Sequence, residues 1–316
     1  MDWRTVVESR VRGTVQRDVP LAPRVSVRVG GPAALFVRPA DVEDLVILLA
    51  TAREIEQPVW ALGGGANTIV GDGGYPHIVM KLPATGQEIV EDRGDSVLLD
   101  LPAGATSARL PALAKEHGLL GAEWAAGIPG TLGGMTAMNA GTRVGEMKDN
   151  LVEVLLCSAD GAEWRPASDL NFSYRHSELG GRLVARVRCR LRKGSPSEVE
   201  TSQAAMDTDR TCRKRTQPLQ LPNSGSVFRN PPGNHAGKLI ESVGLKGASE
   251  GGAQISDQHA NFIVNRGSAT ARDVTTLKAR AQQTVWEREH ILLAPEVRLV
   301  GRFIPSAEIL GLVLDP

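Results

Sequence analysis

Apolar and polar positions alternate in short blocks along the first third of the chain. Val25–Val29 and Ala34–Val37 read as strands joined by a Gly30-Gly31-Pro32 turn. From Asp41 to Gln57 the period lengthens, and Val42, Leu45, Val46, Leu48 and Leu49 make the broad apolar face of a helix. A strand at Val59–Leu62 runs into Gly63-Gly64-Gly65. Further strands are predicted at His77–Lys81, Ser96–Leu101, Val152–Ser158 and Leu183–Leu191, with a helix at Ser107–His117. Trp124–Thr142 is uncharged but rich in glycine, and too short and polar for a membrane helix. It reads as a buried loop followed by a helix over Thr131–Ala140.

Thr201–Arg215 is polar and charged and reads as a hinge. Beyond it the spacing predicts a short helix at Ala236–Val243, a strand at Phe262–Val264 and a long helix at Thr270–Glu289. Thr270 is the expected N-cap of that helix, with Asp273 completing a variant capping box. Val274, Leu277, Ala281 and Val285 share one face, and Val297–Val300 is the last strand. The pattern divides the chain into one α/β region before about residue 200 and another after it.

Composition narrows the function classes. With 41% hydrophobic and 23% charged residues over 316 positions, the chain is an ordinary globular protein. Lys+Arg and Asp+Glu both number 36, so the basic excess of a nucleic-acid binder is missing. Cys157, Cys189 and Cys212 form no CxxC and have no metal spacing, so reduced thiols in a cytoplasmic protein are expected, with no metal. The N-terminus lacks the apolar core of a secretory signal. Glycine is the outlier, with 34 residues, many in tight clusters.

Those clusters carry the candidate chemistry. Gly63-Gly64-Gly65-Ala66-Asn67 follows a strand and is either a tight structural turn or a nest of N–H groups for an anion. No Gly-Lys-Ser/Thr follows it and the GxGxxG spacing is absent. The run from Gly127 through Ile128, Pro129, Gly130, Thr131, Leu132 and Gly133 to Gly134, then Met138-Asn139-Ala140-Gly141, is a buried helix packed tightly through Gly133 and Gly134 or, the favoured reading, a pyrophosphate site at a helix start. Two glycine nests in one domain fit a dinucleotide with two phosphates. Tyr174-Arg175 is either a carboxylate clamp or a surface ion pair. Gln217-Pro218 precedes Asn223-Ser224-Gly225-Ser226-Val227-Phe228-Arg229-Asn230-Pro231, which contains no hydrolase elbow. Arg210, Arg213, Lys214 and Arg215 form a solvated basic face or steer an anionic substrate. His259 and Asn261 are hydrogen-bonded core groups or ligand contacts. Glu296 is a paired group or a buried acid with a raised pKa.

In this order the motifs resemble those of the UDP-N-acetylenolpyruvoylglucosamine reductase (MurB) family, from about Val25 to Gly301. The most specific blocks are GIPGTLGG with MNAG, QPLQLPNSGSVFRNP, AGKLIESVGLKG and HANFIVN. The resemblance implies an α+β fold. Its parts would be an FAD-binding domain of the vanillyl-alcohol-oxidase (PCMH) type, with two subdomains, over residues 20–195, a smaller α/β substrate-binding domain over 200–301, and a tail over 302–316. It implies that Gly63–Thr68, Gly127–Gly134 and Asn139 hold FAD, and that Tyr174, Gln217, Asn230, His259 and Asn261 contact the substrate. Arg175 and Glu296 match the residues that hold the substrate carboxylate, and Ser226 matches the proton donor. The implied reaction uses NADPH to reduce FAD. Hydride then passes to the enolpyruvyl ether of a UDP-sugar, giving UDP-N-acetylmuramate for peptidoglycan. The family further implies a cytoplasmic monomer that neither inserts into membranes nor binds nucleic acid.

Two departures stand out. Ala66 replaces a common serine, and Thr142-Arg143-Val144 replaces a common Ala-Tyr-Gly. The short segment between Arg175 and Thr201 marks the family's type without an extra tyrosine loop. The competing readings are a different flavin oxidase of the same fold and an inactive UDP-sugar sensor. The first lacks support in the C-terminal motifs. The second is expected to have lost Ser226 or Glu296, and both are present.

Overall fold

The computed structural model describes residues 2–84 and 86–304; most of the tail expected at 302–316 lies outside the described residues. The chain forms two compact units of three segments each. The first gathers Met1–Gln16, Phe36–Gly64 and Ile78–Arg213, and the second gathers Arg17–Leu35, Gly65–His77 and Lys214–Pro316. The sequence pattern suggested one crossing near residue 200; packing makes the chain enter the second unit three times.

The first unit is built on an antiparallel sheet in the order Gly161–Pro166, Leu151–Ser158, Leu183–Lys193, Ser96–Pro102, Ile89–Asp92, with Leu119–Leu120 joining the end of Leu183–Lys193. The central strand shows why. Val187, Cys189 and Leu191 are buried while Arg186, Arg188, Arg190 and Arg192 alternate with them on the other face. The inner face packs on Leu99, Leu101, Leu110, Leu113, Trp124 and Leu132. On the outer face, the Asp100 carboxylate accepts from Arg186 at 2.6 Å and Arg188 at 3.0 Å, and Arg188 stacks on Trp164. The helix Val42–Glu54 forms where its apolar period predicted, capped by Asp41.

The expected hinge at Thr201–Arg215 is instead part of a 21-residue helix, Pro196–Thr216. Only Ser202 and Met206 are buried along it, so its apolar stripe is too narrow to register as a helical period. Ser195 and Glu198 cap its start: the Ser195 N–H donates to Glu198 at 2.8 Å.

The second unit contains a three-stranded antiparallel sheet, Ser249–Glu250, Ala253–Ile255 and Ile263–Asn265, packed by the helix Ala271–Glu289. Both arms of its capping box are made: the Asp273 N–H donates to Thr270 Oγ1 at 3.1 Å and the Thr270 N–H to Asp273 at 2.9 Å. A distant carboxylate completes the helix start, because Asp72 accepts from the N–H groups of Ala271 and Arg272 at 2.8 and 3.0 Å. Arg298–Val300 pairs in parallel with Thr68–Val70. The strand expected at Val25–Val29 does not form. Ala22–Arg24 is a 3-10 turn and Arg28 takes φ 58°, although Val25, Val27 and Val29 are buried. Their alternation reflects burial of one side of an irregular segment while Ser26 and Arg28 stay exposed, with no ladder.

Candidate active site

In the first unit the two glycine clusters meet. A Cβ on Gly64 would lie 2.5 Å from Gly130 Cα, and one on Gly63 would lie 2.8 Å from Thr131 Oγ1. Only glycine permits this approach of backbones. Gly130 itself, at φ 122°, faces open space on its Cβ side. The Gly127–Gly134 loop is pinned from below: Leu132 N–H donates to Ala105 O, Gly133 N–H to Ala103 O, and the Ser107 hydroxyl to Ile128 O. Thr131 caps the short helix Leu132–Ala137 by accepting from Gly134 N–H at 3.3 Å. Among the described residues, the N–H groups of Gly63, Gly64, Gly130 and Thr131 have no protein acceptor. Backbone donors left over in a cradle too tight for side chains fit a diphosphate, the group FAD presents.

Next to the cradle, Asn139 is fully buried at φ 40° and fixed on both ends of its carboxamide. It donates to Ser173 O at 3.0 Å and accepts from Lys148 N–H at 3.1 Å. Its side chain is therefore a brace for the 173–175 turn. Arg175, itself at φ 57°, donates to Gly141 O at 2.7 Å and lies over the half-exposed Tyr174 ring at 5.0 Å. A guanidinium held by neutral carbonyls keeps its positive charge, which attracts an anion.

The second unit gathers Ser226, Glu296, Asn261 and Asn67. Val227 N–H donates to Asn261 O, and Val227 O accepts from Glu296 and Val297 N–H at 2.9 and 3.3 Å. Asn67 Nδ2 donates to Glu296 O at 2.9 Å. Asn261, expected at the substrate, spends its carboxamide on the Phe228 backbone: Oδ1 accepts from Phe228 N–H at 3.0 Å and Nδ2 donates to Phe228 O at 2.8 Å. It braces the Ser226 segment from behind. Asn67, expected at the flavin, has its amide N–H on the Glu296 backbone. Gly65, Ala66 and Thr68 flank it, Thr68 in register with Arg298. Ser226 follows Gly225, whose φ of 76° turns the chain sharply. Asn230 Oδ1 accepts from Ala236 N–H at the start of the helix Ala236–Ser242, and Gln217 stands just past the end of Pro196–Thr216. Burial pushes the His259 imidazole below its ordinary value, and its Nδ1 accepts from Asn261 N–H at 3.2 Å. This assigns a neutral ring with Nε2–H as the donor.

The bracing roles of Ser107 and Asn265 were missed because each is set by an acceptor distant in the chain, although Asn265 closes the HANFIVN block. Asn265 donates to Val27 O, 238 residues away. Replacing Asn261 by alanine strands two buried backbone groups of Phe228. We expect a loss of about 2–4 kcal/mol in urea unfolding. A variant as stable as the unaltered protein would remove the bracing role.

The family model described as UDP-N-acetylenolpyruvoylglucosamine reductase, C-terminal domain, matches residues 217–300, and the FAD binding domain model matches 33–165. A UDP-N-acetylenolpyruvoylglucosamine reductase of Anaeromyxobacter dehalogenans (strain 2CP-C) is 53% identical over 99% of this chain and 93% of its own length. The chain belongs to the UDP-N-acetylenolpyruvoylglucosamine reductase family. A further reductase of that name, from Myxococcus xanthus (strain DK1622), is 52% identical over 94% of this chain and 96% of its own length. The crystal structure of the enzyme of that name from Thermus caldophilus superposes with a TM-score of 0.77 at 36% identity, covering 91% of this chain and 99% of that one. The fold is thus α+β, with an FAD-binding domain followed by the C-terminal domain of the reductase family, and the protein is a flavin-dependent oxidoreductase of the MurB family. No helix among the described residues is long and apolar enough to cross a membrane.

Proposed function

We propose that this protein reduces UDP-N-acetylglucosamine enolpyruvate to UDP-N-acetylmuramate with NADPH, a step of peptidoglycan precursor synthesis in the cytoplasm. The FAD-binding part would span 20–195 and the substrate part 200–301. FAD, held by the Gly63–Gly64 and Gly130–Thr131 backbone, would supply the two-electron chemistry between NADPH and the enolpyruvyl ether. The observation that supports the reading is the backbone lock between Glu296 and Val227, which ties the segment of the expected carboxylate holder to that of the expected proton donor.

The chain's own groups divide the remaining work. Gly63, Gly64, Gly130 and Thr131 offer their N–H groups to the FAD diphosphate. Arg175 draws the substrate carboxylate and stabilises the charge that builds on it. Glu296 acts as its carboxylic acid, because an anionic side chain would repel that charge. Ser226 hands a proton to the carbon bearing the carboxylate, a strong base at that moment, so a hydroxyl suffices.

The test is NADPH oxidation by the purified holoenzyme with and without the enolpyruvyl substrate. Stimulation by substrate, with product identified by mass, is expected. Oxidation that ignores the substrate would instead favour another flavin oxidase of this fold. Glu296 is tested separately. Glu296→Gln keeps the shape and a donor, whereas Glu296→Ala removes both, so alanine should slow substrate-driven flavin reoxidation more. FAD content should stay unchanged in each; a Glu296→Ala enzyme that only sheds FAD would make Glu296 structural.

A further inference from the structure

We propose that Arg143 and Arg213, on either side of Asp209 beside the Gly127 turn, form a subsite for a phosphoryl group of the incoming nucleotide ligand. The last turns of the Pro196–Thr216 helix put Arg210 and Arg213 on one face. Gly127 lies against that face: a Cβ there would stand 3.7 Å from Arg213 Cδ, 3.8 Å from its Nη1 and 3.9 Å from Arg210 Cγ. Gly127, at φ 76°, has no side chain to fill the space.

Charge in this cluster is unbalanced. Asp207 pairs with Arg210 at 3.1 Å, and Asp209 pairs with Arg143 at 2.8 Å. Among the described residues Arg213 forms no direct ion pair and feels Asp209 only at a distance, and its Nε is buried without an acceptor. A desolvated guanidinium with an unused donor is costly, and that cost is recovered when an anion arrives. Its planar fork matches phosphoryl oxygens in pairs. Asp209, which also acts electrostatically on Arg213, holds Arg143 in readiness.

Arg143 is the part of this arrangement where the chain departs from the common Ala-Tyr-Gly. It sits at the tip of the hairpin between Gly141–Thr142 and Gly145–Glu146, and its side chain is 78% exposed. The base of the same hairpin receives Arg175 at Gly141 O. One hairpin therefore connects Arg143 at its tip to the Gly141 carbonyl that Arg175 holds at its base. An aromatic side chain at 143 could stack on a base or ribose; an arginine there instead favours charge.

The inference rests on the nucleotide-ligand reading above. The test uses the holoenzyme and measures Kd for UDP and inorganic pyrophosphate by calorimetry, and KM for the UDP-sugar, NADPH and NADH. Arg143→Ala is expected to weaken UDP and pyrophosphate about tenfold, the scale of one charge-assisted hydrogen bond. The effect should fall on KM more than kcat. Arg143→Tyr should resemble alanine toward pyrophosphate, and Arg143→Lys should recover part of the affinity. A loss shared by UDP, NADPH and NADH assigns the subsite to the diphosphate. A loss confined to NADPH assigns it to the 2′-phosphate. Unchanged affinities in Arg143→Ala with retained FAD overturn the proposal. So does a loss of affinity in Arg143→Ala that Arg143→Lys fails to recover in any part. Failure of the unaltered enzyme to turn over would sink the reductase reading alone, because the pyrophosphate titration still decides the subsite.

Discussion

A Ser226→Ala enzyme is expected to accept electrons from NADPH as fast as the unaltered protein and to return them to substrate about 10²–10⁴-fold more slowly. The structure explains why the loss should be confined to one half of the reaction. The backbone around Ser226 is fixed by bonds it does not itself make: Asn261 and Glu296 hold Val227, and Asn261 holds Phe228 on both sides. Deleting a half-exposed hydroxyl leaves that frame in place, so the carboxylate holder stays where it was. Stopped-flow absorbance separates the two half-reactions. Ser226→Cys keeps a transferable proton and should fall between the two. Reoxidation of Ser226→Ala at the unaltered rate would show that the proton comes from elsewhere.

Gly64→Val should yield a protein purified without flavin. The first carbon of any side chain at 64 meets Gly130 Cα at 2.5 Å and the Gly130 carbonyl carbon at 3.0 Å. Both are backbone atoms of a loop pinned by Ala103, Ala105 and Ser107, so neither can give way easily. The loops must part, and the close approach of Gly63 and Gly64 to Gly130 and Thr131 is lost. We expect FAD occupancy below about a tenth of the unaltered protein. Thr131→Ala is the milder control, losing one cap worth about 1 kcal/mol, and should keep most of its FAD. Full occupancy in Gly64→Val, read from the flavin absorbance against protein, would remove this loop pair from the cofactor site.

The sequence by itself determined whatever depends on neighbours a few residues apart. The Thr270–Asp273 box, the apolar face of Val274, Leu277, Ala281 and Val285, the helix beginning near Asp41 and the strands beginning at Ser96 and Leu183 are local patterns, and each appears where it was expected. The glycine clusters were equally legible, since close backbone approach leaves room for no other residue. Tertiary structure alone decided the rest. A polar segment such as Pro196–Thr216 becomes helical because its caps and two buried positions suffice once a partner surface exists. Alternating valines at 25, 27 and 29 bury without pairing. Asn261 was visible as a candidate, but whether its amide faces ligand or backbone depends on where Phe228 lies. Asp72 caps a helix 199 residues away, and Arg213 packs against Gly127, 86 positions upstream in the chain. Such contacts are set by the path of the folded chain, and no spacing along the sequence encodes them.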